Sequence, residues 1–242
     1  MDTNELIAVA RPKIGALGSA FYFTPETVAV GKGRGLDGFR FYVLGRGGVL
    51  GDVHASVVSS AFGWWNPETI EKIWNSGREV MGAREAGALY MTCAQDLGKR
   101  KFGDVAGLAE FCASAEKILA AVDDAGLSLY AGIAAEPLAE DLPSRAMQLV
   151  AVLREYRGSV HLLAVVASGL SPRLAHAIKR PDMFKAFGWG EDVPDSTDAD
   201  RAKLDAAEVL TDQLVHAAFG VLSPAEADSF VATLDACSAA LQ

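Results

Sequence analysis

The chain has 242 residues, half of them apolar, which is enough for one large core or two modest domains. Its formal net charge of −9 excludes a surface given over as a whole to nucleic acid, because phosphate binding draws its affinity from lysine and arginine. Apolar stretches are broken by charge, glycine or proline before the roughly 18 residues that span a bilayer, and MDTNELIAVARPK opens acidic rather than as a basic leader, so a cytoplasmic protein without a membrane segment is expected.

In the first third, aromatic residues crowd together. Phe21, Tyr22 and Phe23 precede a helix start at Thr24-Pro25-Glu26, where a side-chain oxygen caps the helix and proline takes the first turn. Phe39, Phe41 and Tyr42 follow, then Phe62, Trp64 and Trp65 before a second proline-capped start at Asn66-Pro67-Glu68, with Trp74 beyond it. Such density fits a core, or a pocket for a flat apolar ligand lined by Phe21, Tyr22, Phe39, Tyr42, Trp64 and Trp65. Arg46 and His54 interleave with the rings and supply polar handles. The run GKGRGLDG places Gly33, Gly35 and Gly38 in G-x-G-x-x-G spacing, but no strand precedes it, and it reads as a loop between helices rather than a nucleotide site.

From Asp104 onward, Val105, Leu108, Cys112, Ala115, Leu119 and Val122 recur at three- and four-residue steps, the apolar stripe of one amphipathic helix. Softer composition from Ala134 to Pro143 suggests a boundary near residue 140, dividing the chain into portions 1–140 and 141–242. The stretch Ser144 to Phe187 reads as three short helices, with Gly158 ending the first, Gly169 turning the chain after the second, and Ser171-Pro172 starting the third: a helix-turn-helix layout. It carries seven bases against two acids, a local charge of +5 that leaves −14 on the rest. On the third helix, Arg173, His176, Lys179 and Arg180 are the side chains that would meet a DNA groove or its phosphates. Just before Gly158, Arg154-Glu155-Tyr156-Arg157 packs two guanidinium groups around a carboxylate and a phenol. That motif fits an internal ion-pair latch, or an anchoring corner for a ligand in which Tyr156 and Arg157 act with His161.

Residues 190–208 carry seven acids against two bases, and Gly190 to Thr197 reads as an exposed connector. Ser223-Pro224 with Glu226 makes a capping box for a last helix whose Ala227, Phe230, Leu234, Cys237 and Leu241 form an apolar stripe. Cys93, Cys112 and Cys237 are never in C-x-x-C spacing and read as small buried residues. The four histidines show no metal spacing, and neither a metal nor a cofactor is assigned. If a reaction occurs, His54 or His161 is the catalytic general base expected, since imidazole titrates near neutrality.

Across FYFTPE (Phe21 to Glu26), GLDGFRFYVLGRGGVLG (Gly35 to Gly51), FGWWNPE (Phe62 to Glu68) and LREYRGSVHLLAVVASGL (Leu153 to Leu170), the chain resembles a largely actinobacterial family of helix-turn-helix or winged-helix-like proteins. The resemblance implies a fold and no activity. In the family pattern histidines stand where this chain has Gly18 and Tyr156, His161 is shared, and a wing follows the basic helix where this chain has its acidic connector. The expected architecture is mainly α: an aromatic-rich N-terminal helical portion packed on a degenerate winged-helix-like, helix-turn-helix C-terminal portion, with a homodimer through the terminal helices. The expected function is binding of an apolar or aromatic small molecule between the two portions, by an enzyme or a simple binder. The alternative is a DNA-binding transcription regulator with an effector pocket.

Overall fold

Side-chain caps decide where most of the helices begin. In the computed structural model, which describes residues 1–242, there are twelve α-helices, one 3-10 turn and no strand. Asp2 and Glu5 form a reciprocal capping box on α1 (Thr3–Gly18). Thr24, Asp37, His54 and Asn66 cap α2 (Pro25–Gly33), α3 (Gly38–Gly48), α4 (Ala55–Phe62) and α5 (Pro67–Arg78). Then come α6 (Ala83–Lys101), α7 (Leu108–Ala120) and α8 (Ser128–Ala134). Asp141 caps α9 (Leu142–Ala167) and Ser171 caps α10 (Pro172–Lys179), which a 3-10 turn at Pro181–Met183 follows. Capping boxes at Thr197/Asp200 and Ser223/Glu226 open α11 (Asp198–Phe219) and α12 (Pro224–Ala240). No helix is long and apolar enough to cross a membrane.

At the centre lies α9, packed against α1, α6, α7, α8 and α11. Fifteen of its 26 residues are buried, which is why its amphipathic pattern is weak in the sequence. Close approach of α1 depends on Gly18: a Cβ there would lie 2.6 Å from the Arg154 Cβ and 2.8 Å from the Val150 carbonyl oxygen. One hydrophobic core of 54 buried residues runs from Leu6 to Cys237 and crosses the boundary expected near residue 140. A smaller cluster of Ala164, Val165, Leu170, Ala175, Leu204 and Ala207 sits beneath α10.

The trihelical reading of Ser144 to Phe187 needs correction. Gly158 ends nothing; it lies inside α9, whose neighbouring Leu153, Tyr156, Val160, Ala164 and Val165 are all buried. A mid-helix glycine costs about 1 kcal/mol, less than those burials contribute at ~1.5–3 kcal/mol for each large side chain. The chain turns only at Gly169, with φ +70°. Its N–H donates to the Val166 carbonyl (3.0 Å) and that of Leu170 to the Val165 carbonyl (3.3 Å), the paired bonds of a Schellman stop. Terminal helix α12 docks its apolar stripe within the chain, against α1 and α7. Residues 190–197 form the expected connector without regular structure.

Candidate functional site

The helix-turn-helix corner consists of the last turns of α9, the four residues 168–171 and α10. Ser171 Oγ accepts the Leu174 N–H at 3.2 Å, and Pro172 fills the first helical position, so α10 starts as the sequence indicated. Ala175, His176 and Ala177 face inward, while Arg173, Lys179 and Arg180 are exposed. His176 is therefore not available to a groove: it is 6% exposed, its ring lies 4.3 Å from Phe187, and its Nε2 is buried without a partner. Burial, and secondarily the charge of Arg180, push its pKa down. Lys179 is paired with Glu208, Arg180 with Asp182 at 3.3 Å and Lys185 with Glu191. Arg173 has no acidic partner and lies over the rings of Trp189 and Phe184, at 5.4 and 5.9 Å.

The segment after α10 ties this corner to the turn between α4 and α5. Phe187 stacks on Trp65 at 4.3 Å, its carbonyl accepts the Asn66 N–H at 3.0 Å, and the Trp189 indole donates to the Trp64 carbonyl at 2.8 Å. The FGWWNPE element thus holds α10 in place.

A second assembly occupies the junction of the two portions. Glu155, 1% exposed, is gripped by Arg46 through two bonds (2.9 and 2.8 Å), by Arg154 (2.6 Å) and by the Tyr22 hydroxyl (2.9 Å). Arg154 also donates to the Tyr22 oxygen at 2.8 Å and Arg46 to that of Tyr42 at 3.2 Å. Burial pushes the Glu155 carboxyl up, but the two guanidinium groups and the phenol outweigh it and hold it at about 2. Burial drives the Tyr22 phenol far above its ordinary value. Rings fill the space around this cluster, with Tyr22 5.2 Å from Tyr42 and Phe21 5.0 Å from Tyr90. The cavity left among Phe21, Tyr22, Arg46 and their neighbours is about 10 Å³, scarcely room for one water. The pocket expected between the two portions is therefore closed by its own lining. Phe39 lies outside it, 49% exposed, against Phe23 and Trp65.

The remaining expected ligand residues are dispersed. Tyr156 faces Tyr130, with ring centres 5.2 Å apart. Arg157 points to the opposite side of α9 from Glu155 and bonds Glu208 (2.9 Å) and Asp212 (3.4 Å) on α11. His54 caps α4, its Nδ1 accepting the Ser56 N–H at 3.2 Å. His161 is buried between α9 and α11, stacked on Trp64 at 5.7 Å. Its Nδ1 is 2.9 Å from Thr211 Oγ1, which gives its own proton to the Ala207 carbonyl at 2.6 Å. Nδ1 must then be the donor, leaving the Nε2 lone pair directed toward Glu208 at 3.7 Å. Burial, with Lys179 and Arg157, lowers His161 to about 4, so the ring is neutral near pH 7. Burial raises Glu208, but Lys179 and Arg157 overcome it and hold the carboxyl at about 2.

Sequence reading missed Glu208 and Thr211. Glu208 ends a segment whose acidity suggested solvent and Thr211 lies just beyond it, and their only signal is the i, i+3 spacing that puts them on one face of α11 toward His161. The three cysteines are buried and free, with thiols pushed up by burial to about 11, 11 and 12.

No curated protein and no solved structure matches the chain. A family model described as a helix-turn-helix family matches residues 9–242, nearly the whole sequence, and includes the Schellman-stopped α9, the short capped α10 and the helices that brace them. The chain belongs to this helix-turn-helix family.

Proposed function

We propose that this protein is a DNA-binding regulator that docks through α10, with Arg173, Lys179 and Arg180 as its contacts to the duplex. The observation that carries this reading is the exposed basic side of a short helix, capped by Ser171 and set off from α9 by a Schellman turn, in a chain whose net charge is otherwise strongly negative. Membership of a helix-turn-helix family adds support. The ion pairs on this surface do not block it. Exposed pairs contribute only about 0.2–1 kcal/mol, whereas phosphate contacts gain from counterion release. Arg173 lies nearest the N-terminus of α10, the part of a recognition helix that reaches base edges.

Fluorescence anisotropy with a random-sequence duplex tests the reading. Binding at roughly 20 mM salt should weaken steeply as salt rises, and the combined Arg173→Ala, Lys179→Ala, Arg180→Ala variant should lose it. Absence of binding at that salt, or equal binding by the variant, contradicts the proposal.

A further inference from the structure

Away from α10, one face of α9 lies open. It carries Ser159, Leu162, Leu163 and Val166 at i, i+3, i+4 and i+7, and Leu163 and Val166 are 44% and 57% exposed. α4 flanks this face on one side, and the chain entering α8 at Gly126–Leu129 flanks it on the other. Between them is a cleft of about 350 Å³. Leu127 and Leu163 form a shared wall with a second hollow of about 280 Å³, which runs on past Tyr156 to Leu214 and Ala218 of α11.

Two features of the lining define what fits there. No charged side chain lines the cleft; Asp123 enters only in the second hollow. Four serines from three separate helices line it: Ser56 and Ser60 from α4, Ser128 from α8 and Ser159 from α9. Ser56 engages the His54 ring at 2.9 Å, while Ser60, Ser128 and Ser159 hydroxyls make no hydrogen bond within the protein. An apolar lining with a few neutral donors and acceptors, at this volume, is the composition of a small-molecule site. Eleven residues line the cleft and ten the hollow, fewer than the 20–30 per side of a standard protein interface.

We propose that the cleft binds an uncharged, largely apolar small molecule that lies along α9, placing its hydroxyl or carbonyl oxygens against Ser60, Ser128 and Ser159. A charged ligand is disfavoured, because the cleft offers nothing to replace the hydration of a charge. The site stands independently of whether α10 meets DNA, although the same helix runs from the cleft directly into the α10 turn.

The test is titration of the full chain with Nile red, an uncharged fluorophore, followed by its emission. Saturable binding of one molecule per chain is expected. Ser159→Trp, which fills the cleft, should weaken it by more than about tenfold. Because Ser159 lies on the central helix, Ser60→Phe on the exposed side of α4 provides a second blockade, with circular dichroism reporting the fold of both variants. Phe23→Ala with Phe39→Ala, which removes an exposed aromatic pair outside the cleft, should leave the affinity unchanged. Non-saturable binding, equal binding in both blocked variants, or loss only in the phenylalanine variant overturns the proposal. So does equally tight binding of the anionic 1-anilinonaphthalene-8-sulfonate at the same place. A dimer in sedimentation equilibrium that Ser60→Phe dissociates, with no dye bound, would assign the cleft to a second copy of the chain and likewise overturn it.

Discussion

Two carboxylates on neighbouring helices, Glu155 and Glu208, each hold two cations, and the difference between them separates structure from response. Glu155 is buried, accepts four hydrogen bonds from three side chains, and links α3, α9 and the Phe21–Thr24 turn. Glu208 is about a quarter exposed, and one of its partners, Lys179, is an exposed lysine on α10. Removing a partner from the first leaves an uncompensated buried charge; in the second, water or a phosphate can take the vacant place. The buried cluster therefore fixes the fold, while the partly exposed one holds a surface whose partners can be exchanged.

The sharpest way to break this contrast is Glu155→Ala. It leaves Arg46 and Arg154 facing each other in the interior, and a loss of about 3–5 kcal/mol is expected in urea unfolding. An effect below about 1 kcal/mol would place Glu155 among ordinary surface pairs.

Next in size is a pH effect at His161. Its folded pKa of about 4 lies below the 6.5 of the free side chain, so below pH 6.5 the unfolded chain takes up a proton that the folded chain refuses. Stability should then fall as pH drops from 6.5 toward 4, by up to about 3 kcal/mol, and be flat above that range with respect to this group. His161→Asn should flatten much of the slope, His176 contributing the remainder because burial lowers it too. Glu155 acts in a different window: its depressed pKa contributes stability present above 4.5 and lost as pH falls toward 2. An unchanged slope between pH 6.5 and 4 in His161→Asn would show that the folded ring takes up its proton as readily as the unfolded one.

Gly18→Ala should cost about 1–3 kcal/mol, because the added methyl meets the Arg154 side chain and the Val150 carbonyl where α1 crosses α9. Chemical denaturation measures it, and no loss would mean that α1 can shift. The smallest expected change belongs to the exposed cluster. Lys179→Ala should lower the slope of log affinity against log salt by about 0.9 for duplex DNA while leaving stability within about 0.5 kcal/mol. Equal slopes for the two proteins would remove Lys179 from the phosphate contacts.

The caps made much of the fold legible. Thr24, Asn66, Ser171 and Ser223 announce helix starts because a side-chain acceptor followed by proline has few other uses, and Gly169 announces the stop of α9 because it takes a left-handed conformation. Gly158 misled because a glycine inside a long, mostly buried helix looks the same, in one dimension, as a glycine after its end. Position along the chain says nothing of direction around a helix. Thus Arg154 and Glu155 turn toward Tyr22, Tyr156 toward Tyr130 and Arg157 toward Glu208, and the expected four-residue corner splits three ways. The aromatic crowding was visible, but whether rings enclose space or fill it is decided by packing, and here Tyr90 of α6 completes the filling. His176 shared the basic character of its helix in sequence and the interior in three dimensions.

The most direct measurement is amide hydrogen exchange of the whole chain with and without a random-sequence duplex at low salt. Slowed exchange concentrated in residues 169–187, with the amides around Tyr22 and Arg46 unchanged, is the expected result. Protection on another face, or none at all on α10, would contradict the assignment of this helix to DNA.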